Sequence, residues 1–197
     1  MCSPSAKAFH FSIFGGLEQA NFLAYERGGE QAPGFSSRPR WKLLGGAALE
    51  LGLAPGVGIE IGGTYLEREV EYSYESDEGL LTTHLFSQWV QIPLLLRVWV
   101  LELVTLGAGV YYAYPSGNAK VVDDGGTTLS VPPADANLGN QDIGLMAAFG
   151  FHVPIAFLLK VFTEFRMDQS IVNVGEKGVY SKFKDTQFLL GLRIGRI

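Results

Sequence analysis

Residues 89–114 read WVQIPLLLRVWVLELVTLGAGVYYAY, and this most apolar stretch of the chain decides its fold. Three structures are possible for it: a membrane-spanning helix, a buried helical hairpin, or two β-strands joined by a tight turn. A spanning helix needs about 20 apolar residues with few charges, but Arg97 and Glu102 interrupt the best window, residues 92–110. Its eleven Ile, Leu and Val residues each gain about 0.3–0.6 kcal/mol on insertion, whereas Arg97 alone costs about 2.5–3.5 kcal/mol near the centre. Glu102 should cost a comparable amount, so the total free energy of inserting this window as a helix is near zero or unfavourable.

Two β-strands account for the same residues better, because alternate side chains of a strand point to opposite faces. In the first strand one face is apolar throughout, and the other contains Gln91, Pro93, Leu95 and Arg97. After a turn near residues 99–102, the second strand has one apolar face that ends in aromatics and one small or polar face. This pattern is typical of strands with lipid on one side and a narrow polar interior on the other. The apolar faces consist of Val90, Ile92, Leu94, Leu96 and Val98, and of Val104, Leu106, Ala108, Val110, Tyr112 and Tyr114.

The same stretch resembles a known family. It contains Ile-Pro-Leu-Leu-Leu-Arg at 92–97, preceded by Trp89 and followed by Leu-Gly-Ala-Gly-Val-Tyr-Tyr-Ala-Tyr at 106–114. These residues resemble the PorT-like and OmpA/OmpX-like outer-membrane β-barrel domains, and the strand rhythm extends the resemblance over nearly the whole chain. The resemblance implies an eight-stranded barrel, but it does not imply one shared activity.

Alternation elsewhere predicts six more strands and connections whose lengths alternate. The connections after the first, third, fifth and seventh strands are long, and those after the second, fourth and sixth are short, with Pro154 in the last of these short turns. An up-and-down barrel with short periplasmic turns and long extracellular loops requires this alternation. The sequence therefore predicts an all-β fold, an eight-stranded antiparallel up-and-down transmembrane β-barrel. The predicted strands lie at about residues 9–20, 41–53, 57–65, 90–98, 104–114, 142–153, 157–168 and 187–194.

The chain is predicted to be one domain. Ala6-Lys7-Ala8 matches a small-x-small cleavage pattern directly before the first strand. We therefore interpret residues 1–8 as a residual signal or leader segment and residues 9–197 as the outer-membrane β-barrel domain. Cys2, so close to the start, could instead be a lipidated residue. As the one cysteine, it excludes an intramolecular disulfide and any multi-cysteine metal site.

Composition and net charge limit the possible cellular locations and binding partners of the chain. Twenty-five glycines and 12% aromatic residues fit a chain with an apolar outside. A net charge of −5 argues against nucleic-acid binding, which would show a basic patch or stripe. We expect a bacterial outer-membrane location, with outer-membrane lipid and the barrel assembly machinery as partners and a monomeric state. The chain ends GLRIGRI, which departs from the terminal aromatic residue that commonly serves such barrels as an assembly signal.

Charged and amide side chains on the inward faces predict an interior polar network. In a lumen only just wide enough for side chains, charges must be paired or hydrated, because an isolated buried ion costs several kilocalories per mole. A salt-bridged filling of the barrel is the favoured interpretation, and a proton or ion path is the alternative. The network is predicted to include Glu18, Glu50, Glu60, Gln91, Arg97, Lys160, Glu164, Arg166, Gln187 and Arg193.

Two further groups of residues predict contacts with the membrane. Aromatic residues near the strand ends predict an interfacial belt. Basic residues on the first and last loops, which are neighbours in a closed barrel, predict contacts with anionic lipid headgroups. An acidic run from Glu67 to Glu78 is interpreted as a solvated loop that lacks the spacing of a calcium site. The belt residues are Trp41, Tyr65, Trp89, Trp99, Tyr112 and Tyr114, and the candidate lipid contacts are Arg38, Arg40, Lys42, Lys182 and Lys184.

No catalytic, cofactor or metal site is predicted. His10, His84 and His152 are scattered over different segments without an evident serine and carboxylate partner. We expect a non-enzymatic outer-membrane barrel with a structural or surface-interaction role. The alternatives are a lipid-modifying barrel enzyme with a Ser, His and acidic cluster near one rim, and a soluble lipocalin-like barrel with an apolar inside.

Overall fold

A computed structural model describes residues 9–25, 36–76, 79–100, 103–122, 126–133, 138–172 and 180–195. In this part of the chain eight long strands form the barrel and three short strands lie beside them. The predicted leader, residues 1–8, lies outside the described residues. The barrel strands are β1 (Phe9–Tyr25), β3 (Trp41–Ala54), β4 (Val57–Ser76), β5 (Gly79–Val100), β6 (Val104–Pro115), β9 (Asp142–Ala156), β10 (Leu159–Ser170) and β11 (Tyr180–Gly195). The short strands are β2 (Ser36–Pro39), β7 (Ala119–Val122) and β8 (Thr128–Val131).

The barrel closes through antiparallel pairing of the first strand with the last. The ring runs β1, β3, β4, β5, β6, β9, β10 and β11, and β11 pairs with β1 from His10 opposite Gly195 to Tyr25 opposite Tyr180. The turn between β3 and β4 contains Gly56, whose φ of 74° favours glycine, and Trp99 N donates to its carbonyl at 2.8 Å. The predicted eight-stranded antiparallel barrel is confirmed.

The two faces of the barrel wall differ in the way the alternation predicts. On β10, Lys160, Phe162, Glu164, Arg166 and Asp168 point inward and are buried. Their outward neighbours, Val161, Thr163, Phe165 and Met167, are partly or largely exposed and apolar except for Thr163. Rows of exposed apolar side chains continue around the barrel. Such an outer surface is suited to contact with lipid acyl chains. No helix among the described residues is long and apolar enough to cross a bilayer.

The β4–β5 hairpin extends far beyond the predicted end of the third strand. Residues predicted as a charged loop after Tyr65 instead pair with β5 as far as Ser76 opposite Gly79. Leu66 and Val70 point inward there, and Glu67 points outward. Ladder hydrogen bonds hold a strand above the membrane as well as in it, and in water the outer face need not be apolar. The prediction of a loop at this position was wrong.

Pro154 lies in a strand and not in a turn, contrary to the prediction. β9 continues to Ala156, and the turn consists of Phe157 and Leu158. Proline lacks the N–H that a regular ladder needs, and strands accept it at irregularities. The pairing register shifts here, since Lys160 lies opposite Pro154 while Leu159 lies opposite Ala156.

Gly109 is required by close backbone approach, and replacing it tests the register of β5 and β6. A Cβ at position 109 would collide with the carbonyl oxygen of Leu94, whereas a Cβ at Gly63 would meet nothing within 4 Å. We expect Gly109→Ala to lower the free energy of unfolding by about 1–3 kcal/mol, as overpacking does. Gly63→Ala should be neutral or slightly stabilising. Urea unfolding of the reconstituted barrel measures both, and equal effects would contradict this register.

Candidate functional site

The interior of the barrel is the largest concentration of polar side chains in the described chain. The structure places every predicted network residue inside and buries each of them. Several further interior groups were not in the predicted network, among them Arg68, Asp142 and Asp185. The buried predicted residues are Glu18, Glu50, Glu60, Gln91, Lys160, Glu164, Arg97, Arg166, Gln187 and Arg193.

The middle layer of the lumen is an ionic network of two arginines and two glutamates. Arg97 donates from Nη2 to Glu60 Oε1 at 2.8 Å and from Nη1 to Glu164 Oε2 at 2.7 Å. Arg166 donates from Nε to Glu164 Oε1 at 2.5 Å and from Nη2 to Glu60 Oε1 at 3.0 Å. Each carboxylate therefore has two cationic partners, which compensates its removal from water. Arg193 Nη2 also donates to Glu60 Oε2, at 3.3 Å, and so connects this layer to the periplasmic end of the lumen.

Trp99 lies inside the periplasmic end of the barrel, so its predicted place in the aromatic belt was wrong. Its Nε1 donates to Glu50 Oε1 at 2.7 Å. The Lys160 ammonium lies 4.8 Å and the Arg193 guanidinium 5.1 Å from the ring centroid, and the His152 ring centroid is 4.6 Å away. Cations above an aromatic face are attracted by its quadrupole. Trp99 thus packs against polar and charged side chains at the lower end of the lumen.

Arg68 organises the extracellular half of the lumen, and the sequence analysis missed it. Its Nη2 donates to Asp185 Oδ2 at 2.6 Å and lies 3.0 Å from Asp142 Oδ2. The guanidinium lies 4.9 Å from the Trp89 ring centroid and 4.1 Å from that of Phe183. Arg68 falls in the charged run that was interpreted as a loop. The apolar residues two positions on either side of it, Leu66 and Val70, were the signal that could have placed it.

Trp89 was also predicted in the belt, and the structure buries it completely. Its Nε1 donates to Ser87 Oγ at 2.9 Å, and its ring packs edge-on against Phe183 with centroids 5.9 Å apart. Position 89 has the inward parity of Gln91 and Arg97, so strict alternation already pointed Trp89 inward. The other predicted belt residues are exposed on the outer surface, namely Trp41, Tyr65, Tyr112 and Tyr114.

Amide and carboxyl groups fill the space between the two arginine centres. Asp168 Oδ2 accepts from Gln91 Nε2 and from Gln187 Nε2, both at 2.8 Å. Gln187 Nε2 also lies 3.1 Å from Gln91 Oε1. Glu18 is fully buried, and its nearest cationic atom in the described chain is Arg68 Nε at 3.6 Å. The lumen is therefore occupied by side chains from its periplasmic end to the apolar cap of Trp89 and Phe183.

Of the predicted lipid-contact residues, Arg38, Arg40, Lys182 and Lys184 face outward above the apolar band, whereas Lys42 lies opposite buried Glu18 at a position of inward parity. Arg40 donates from Nη2 to Glu71 Oε2 at 2.8 Å, and this hydrogen bond lowers the pKa of Glu71 below its ordinary value. Arg38 Nη1 lies 3.6 Å from Glu71 Oε1, and Lys42 pairs with Glu69. On the other side of β1, Lys184 is exposed and Lys182 partly exposed on β11, at positions that alternate with inward Phe183 and Asp185.

The three histidines lie at the two ends of the barrel. His10 and His152 are buried at the periplasmic end, where His152 Nε2 lies 3.0 Å from Thr105 Oγ1. His84 lies on the extracellular part of β5, with Nδ1 3.9 Å from Glu69 Oε1. Within the described residues, no group of three or more His, Cys, Asp or Glu side chains is arranged to hold a metal ion.

Comparison with solved structures identifies the fold class. OprG, an outer membrane protein from Pseudomonas aeruginosa, is similar at 13% identity over 97% of both chains, with a TM-score of 0.56. The outer membrane protease OmpT from Escherichia coli is similar at 10% identity over 99% of this chain and 98% of its own, with a TM-score of 0.57. The outer membrane protein AlkL in lipid bilayers is similar at 10% identity over 99% of this chain and 92% of its own, with a TM-score of 0.52.

No protein-family model matches the chain, and no curated protein does. The structural likeness, at such low identity, concerns the fold. Together with the apolar outer surface, it supports the prediction that this is a transmembrane β-barrel of the bacterial outer membrane.

Proposed function

We propose that the chain is a non-enzymatic barrel with a structural or surface-interaction role in the outer membrane. The observation that carries the proposal is the filled lumen. Arg97, Glu164 and Arg166 are each at most 1% exposed, so water does not reach the side chains of this layer. The β4–β5 hairpin meanwhile extends above the apolar band as a wall of paired strands, which is suited to contacts outside the membrane.

The two alternative functions fit the geometry less well. A lipocalin-like barrel needs an apolar inside, whereas here Glu60, Arg97 and Glu164 are inside and Leu94 and Leu96 are outside. A lipid-modifying enzyme needs a nucleophile and a base that reach substrate. Thr105 and His152 are within hydrogen-bonding distance, but both are fully buried in the wall and lumen.

We further propose the partners and the oligomeric state of this barrel. The partners are outer-membrane lipid and the barrel assembly machinery, the state is a monomer, and nucleic acid is not a partner. A relation to PorT-like or OmpA/OmpX-like barrels is supported by the motif at 92–97, whose Arg97 is the centre of the ionic network. Removal of a leader at Ala8 would give a mature chain that begins with β1.

A conductance measurement tests the filled lumen. We expect the purified chain in planar bilayers to give no steady ion conductance, because the ionic layer leaves no path. The variant Arg97→Ser with Glu164→Ser removes one cation and one anion together, and it should admit a measurable ion leak. Steady conductance by the unaltered chain, equal to that of this variant, would refute the proposal that side chains block the lumen.

A further inference from the structure

Four buried carboxyl groups surround Arg68 in the extracellular half of the lumen, and each is at most 1% exposed. Arg68 Nη2 lies 2.6 Å from Asp185 Oδ2 and 3.0 Å from Asp142 Oδ2. Its Nε lies 3.6 Å from Glu18 Oε1. If all four groups were ionised, one guanidinium would face four negative charges, and three of these charges would stay uncompensated. The four groups, the acidic cluster, belong to Glu18, Asp142, Asp168 and Asp185.

The neighbouring cations are paired with carboxylates outside the acidic cluster. Lys42 lies opposite Glu18 in the ladder of β1 and β3, but its ammonium group pairs with Glu69 and lies 5.4 Å from the Phe86 ring centroid. The arginines of the middle layer have carboxylate partners of their own, Glu60 and Glu164. Because an uncompensated buried ion is strongly unfavourable, the acidic cluster must gain positive charge from protons or from a bound cation.

Hydrogen bonds show which members of the acidic cluster are ionised. Asp142 accepts from Tyr111 Oη at 3.1 Å and from Ser170 Oγ at 2.6 Å, in addition to its contact with Arg68. Asp185 Oδ2 accepts two hydrogen bonds from Arg68, from Nε at 2.9 Å and from Nη2 at 2.6 Å. Hydrogen bonds to the charged form of a carboxyl group favour that form. Asp142 and Asp185 therefore keep their negative charges.

Glu18 has the opposite environment. Both of its carboxyl oxygens are buried, and neither accepts a hydrogen bond from a donor in the described part of the chain. Its carboxyl group is hydrogen-bonded instead to that of Asp185, whose Oδ1 has no other donor there. Ionised carboxylates only accept, so a hydrogen bond between two carboxyl groups requires a proton on one of them. Since Arg68 keeps Asp185 ionised, this proton belongs to Glu18.

Every strand near Glu18 contributes to its surroundings. Asp168 lies directly opposite Asp185 in the ladder of β10 and β11, and its Oδ2 accepts from the amides of Gln91 and Gln187. Within the described residues, no group of three or more acidic, His or Cys side chains is arranged to hold a metal ion. This arrangement favours protons over a metal ion. The charged and titratable groups of this half of the lumen are Lys42 of β3, Arg68 of β4, Tyr111 of β6, Asp142 of β9, Arg166 and Asp168 of β10, and Asp185 of β11.

We propose that the extracellular half of the lumen is a proton-binding site, in which Glu18 holds a proton at neutral pH and donates it in a hydrogen bond to Asp185. The Arg68 guanidinium connects this site to the apolar cap, since it lies 4.9 Å from the Trp89 ring centroid and 4.1 Å from that of Phe183. A deprotonated Glu18 would repel Asp185 and compete with it for Arg68. Loss of the proton should therefore weaken the attachment of the cap. This inference does not depend on whether the lumen conducts.

The stability of the barrel as a function of pH tests the proton on Glu18. An unfolded chain releases it above about pH 4.3, whereas the folded barrel keeps it, so this proton's contribution to stability falls as the pH rises above that value. Glu18→Gln should remove this part of the fall, because glutamine is neutral and still donates to Asp185. From about pH 5 to about pH 7, the folding equilibrium constant of Glu18→Gln, divided by that of the unaltered chain, should rise about tenfold per pH unit.

Urea unfolding in liposomes at each pH measures this ratio, and Glu164→Gln is the matched control. Glu164 is as deeply buried as Glu18, but it accepts from Arg97 and Arg166. It is therefore ionised in both the folded and the unfolded chain over this pH range. The corresponding ratio for Glu164→Gln should be below one and should not change with pH.

Infrared spectroscopy of the folded barrel gives a second measurement, because the carbonyl stretch of a protonated carboxyl group is separate from the carboxylate and amide bands. The unaltered chain should show this band at neutral pH. Glu18→Gln and Glu18→Met should both reduce it, whereas Glu164→Gln should not. The methionine variant provides the same test if the glutamine variant does not fold, and heat-dependent gel mobility verifies folding.

An unchanged band in the Glu18 variants, or a ratio for Glu18→Gln that does not change with pH, would overturn the proposal. Stabilisation of the unaltered chain by Na⁺ or Ca²⁺ at constant ionic strength, abolished by Glu18→Gln, would also overturn it. In that case the site would hold a metal cation and not a proton.

Discussion

Arg97→Met is expected to lower the free energy of unfolding by about 3–5 kcal/mol, because it leaves two buried carboxylates without one of the two cations that they share. Arg97 is fully buried and donates to both Glu60 and Glu164. Methionine has a similar length and no charge, so the change in packing is small. Arg166 still contacts both carboxylates, which sets the expected loss at the lower part of this range.

Urea unfolding in detergent or liposomes, followed by tryptophan fluorescence, measures this loss. Arg40→Met is the matched control, because Arg40 pairs with Glu71 on the exposed surface, where ion pairs contribute little. Adding Glu164→Gln to Arg97→Met should recover part of the lost stability, since one uncompensated charge is removed. If Arg97→Met and Arg40→Met have the same unfolding midpoint, the interior network does not stabilise the barrel.

Leu96→Arg is expected to cost about 2–4 kcal/mol if position 96 lies at the bilayer midplane. Leu96 is half exposed on the outer face, between Ile59 and Ala108 of the neighbouring strands. The neighbouring Leu95 is fully buried in the lumen, so a shift of one residue would exchange the two environments. The cost follows from moving a guanidinium into hydrocarbon, and it therefore depends on which side chain faces lipid.

Reversible folding into liposomes gives the cost, and Leu129→Arg provides the control. Leu129 is an exposed apolar residue on β8, above the membrane, and its replacement should cost little. Single-cysteine labels supply a second measurement after Cys2 is replaced. A fluorophore at 96 or 161 should be quenched by bilayer-embedded quenchers, and one at 91 or 164 should not. Equal quenching at both parities would exclude the assigned faces.

The number of strands, the closure of the barrel and the face on which each side chain lies could be predicted from the sequence. Each depends on the alternation of apolar and polar residues along a strand. A row of side chains that faces lipid must be apolar, whereas a row that faces the lumen need not be. The sequence of β10 therefore predicts which of its side chains face lipid and which face the lumen. At two tryptophans this rule was correct, but another expectation was given priority over it. Trp89 and Trp99 share the parity of Gln91 and Arg97, but their positions near strand ends suggested an aromatic belt.

The parts above the membrane could not be predicted in the same way. There the outer face of a strand is in water, so alternation no longer separates apolar from polar residues. Glu67, Glu69 and Glu71 could equally have belonged to a solvated loop, and only the pairing with β5 makes them part of a strand. For the same reason the contacts of Arg68 with Asp185 were not foreseen, since they join residues 117 positions apart.

The way in which the ionic network joins distant strands has a consequence for assembly. Glu60 on β4 and Arg97 on β5 are neighbours, but their partner Glu164 comes from β10, and Arg193 of β11 reaches Ser12 of β1. A partly inserted sheet would therefore expose unmatched ions to hydrocarbon, as well as an open edge. The chain should thus enter the bilayer and close in one concerted step, in which β10 and β11 bring Glu164 and Arg193 against the charges of β4 and β5.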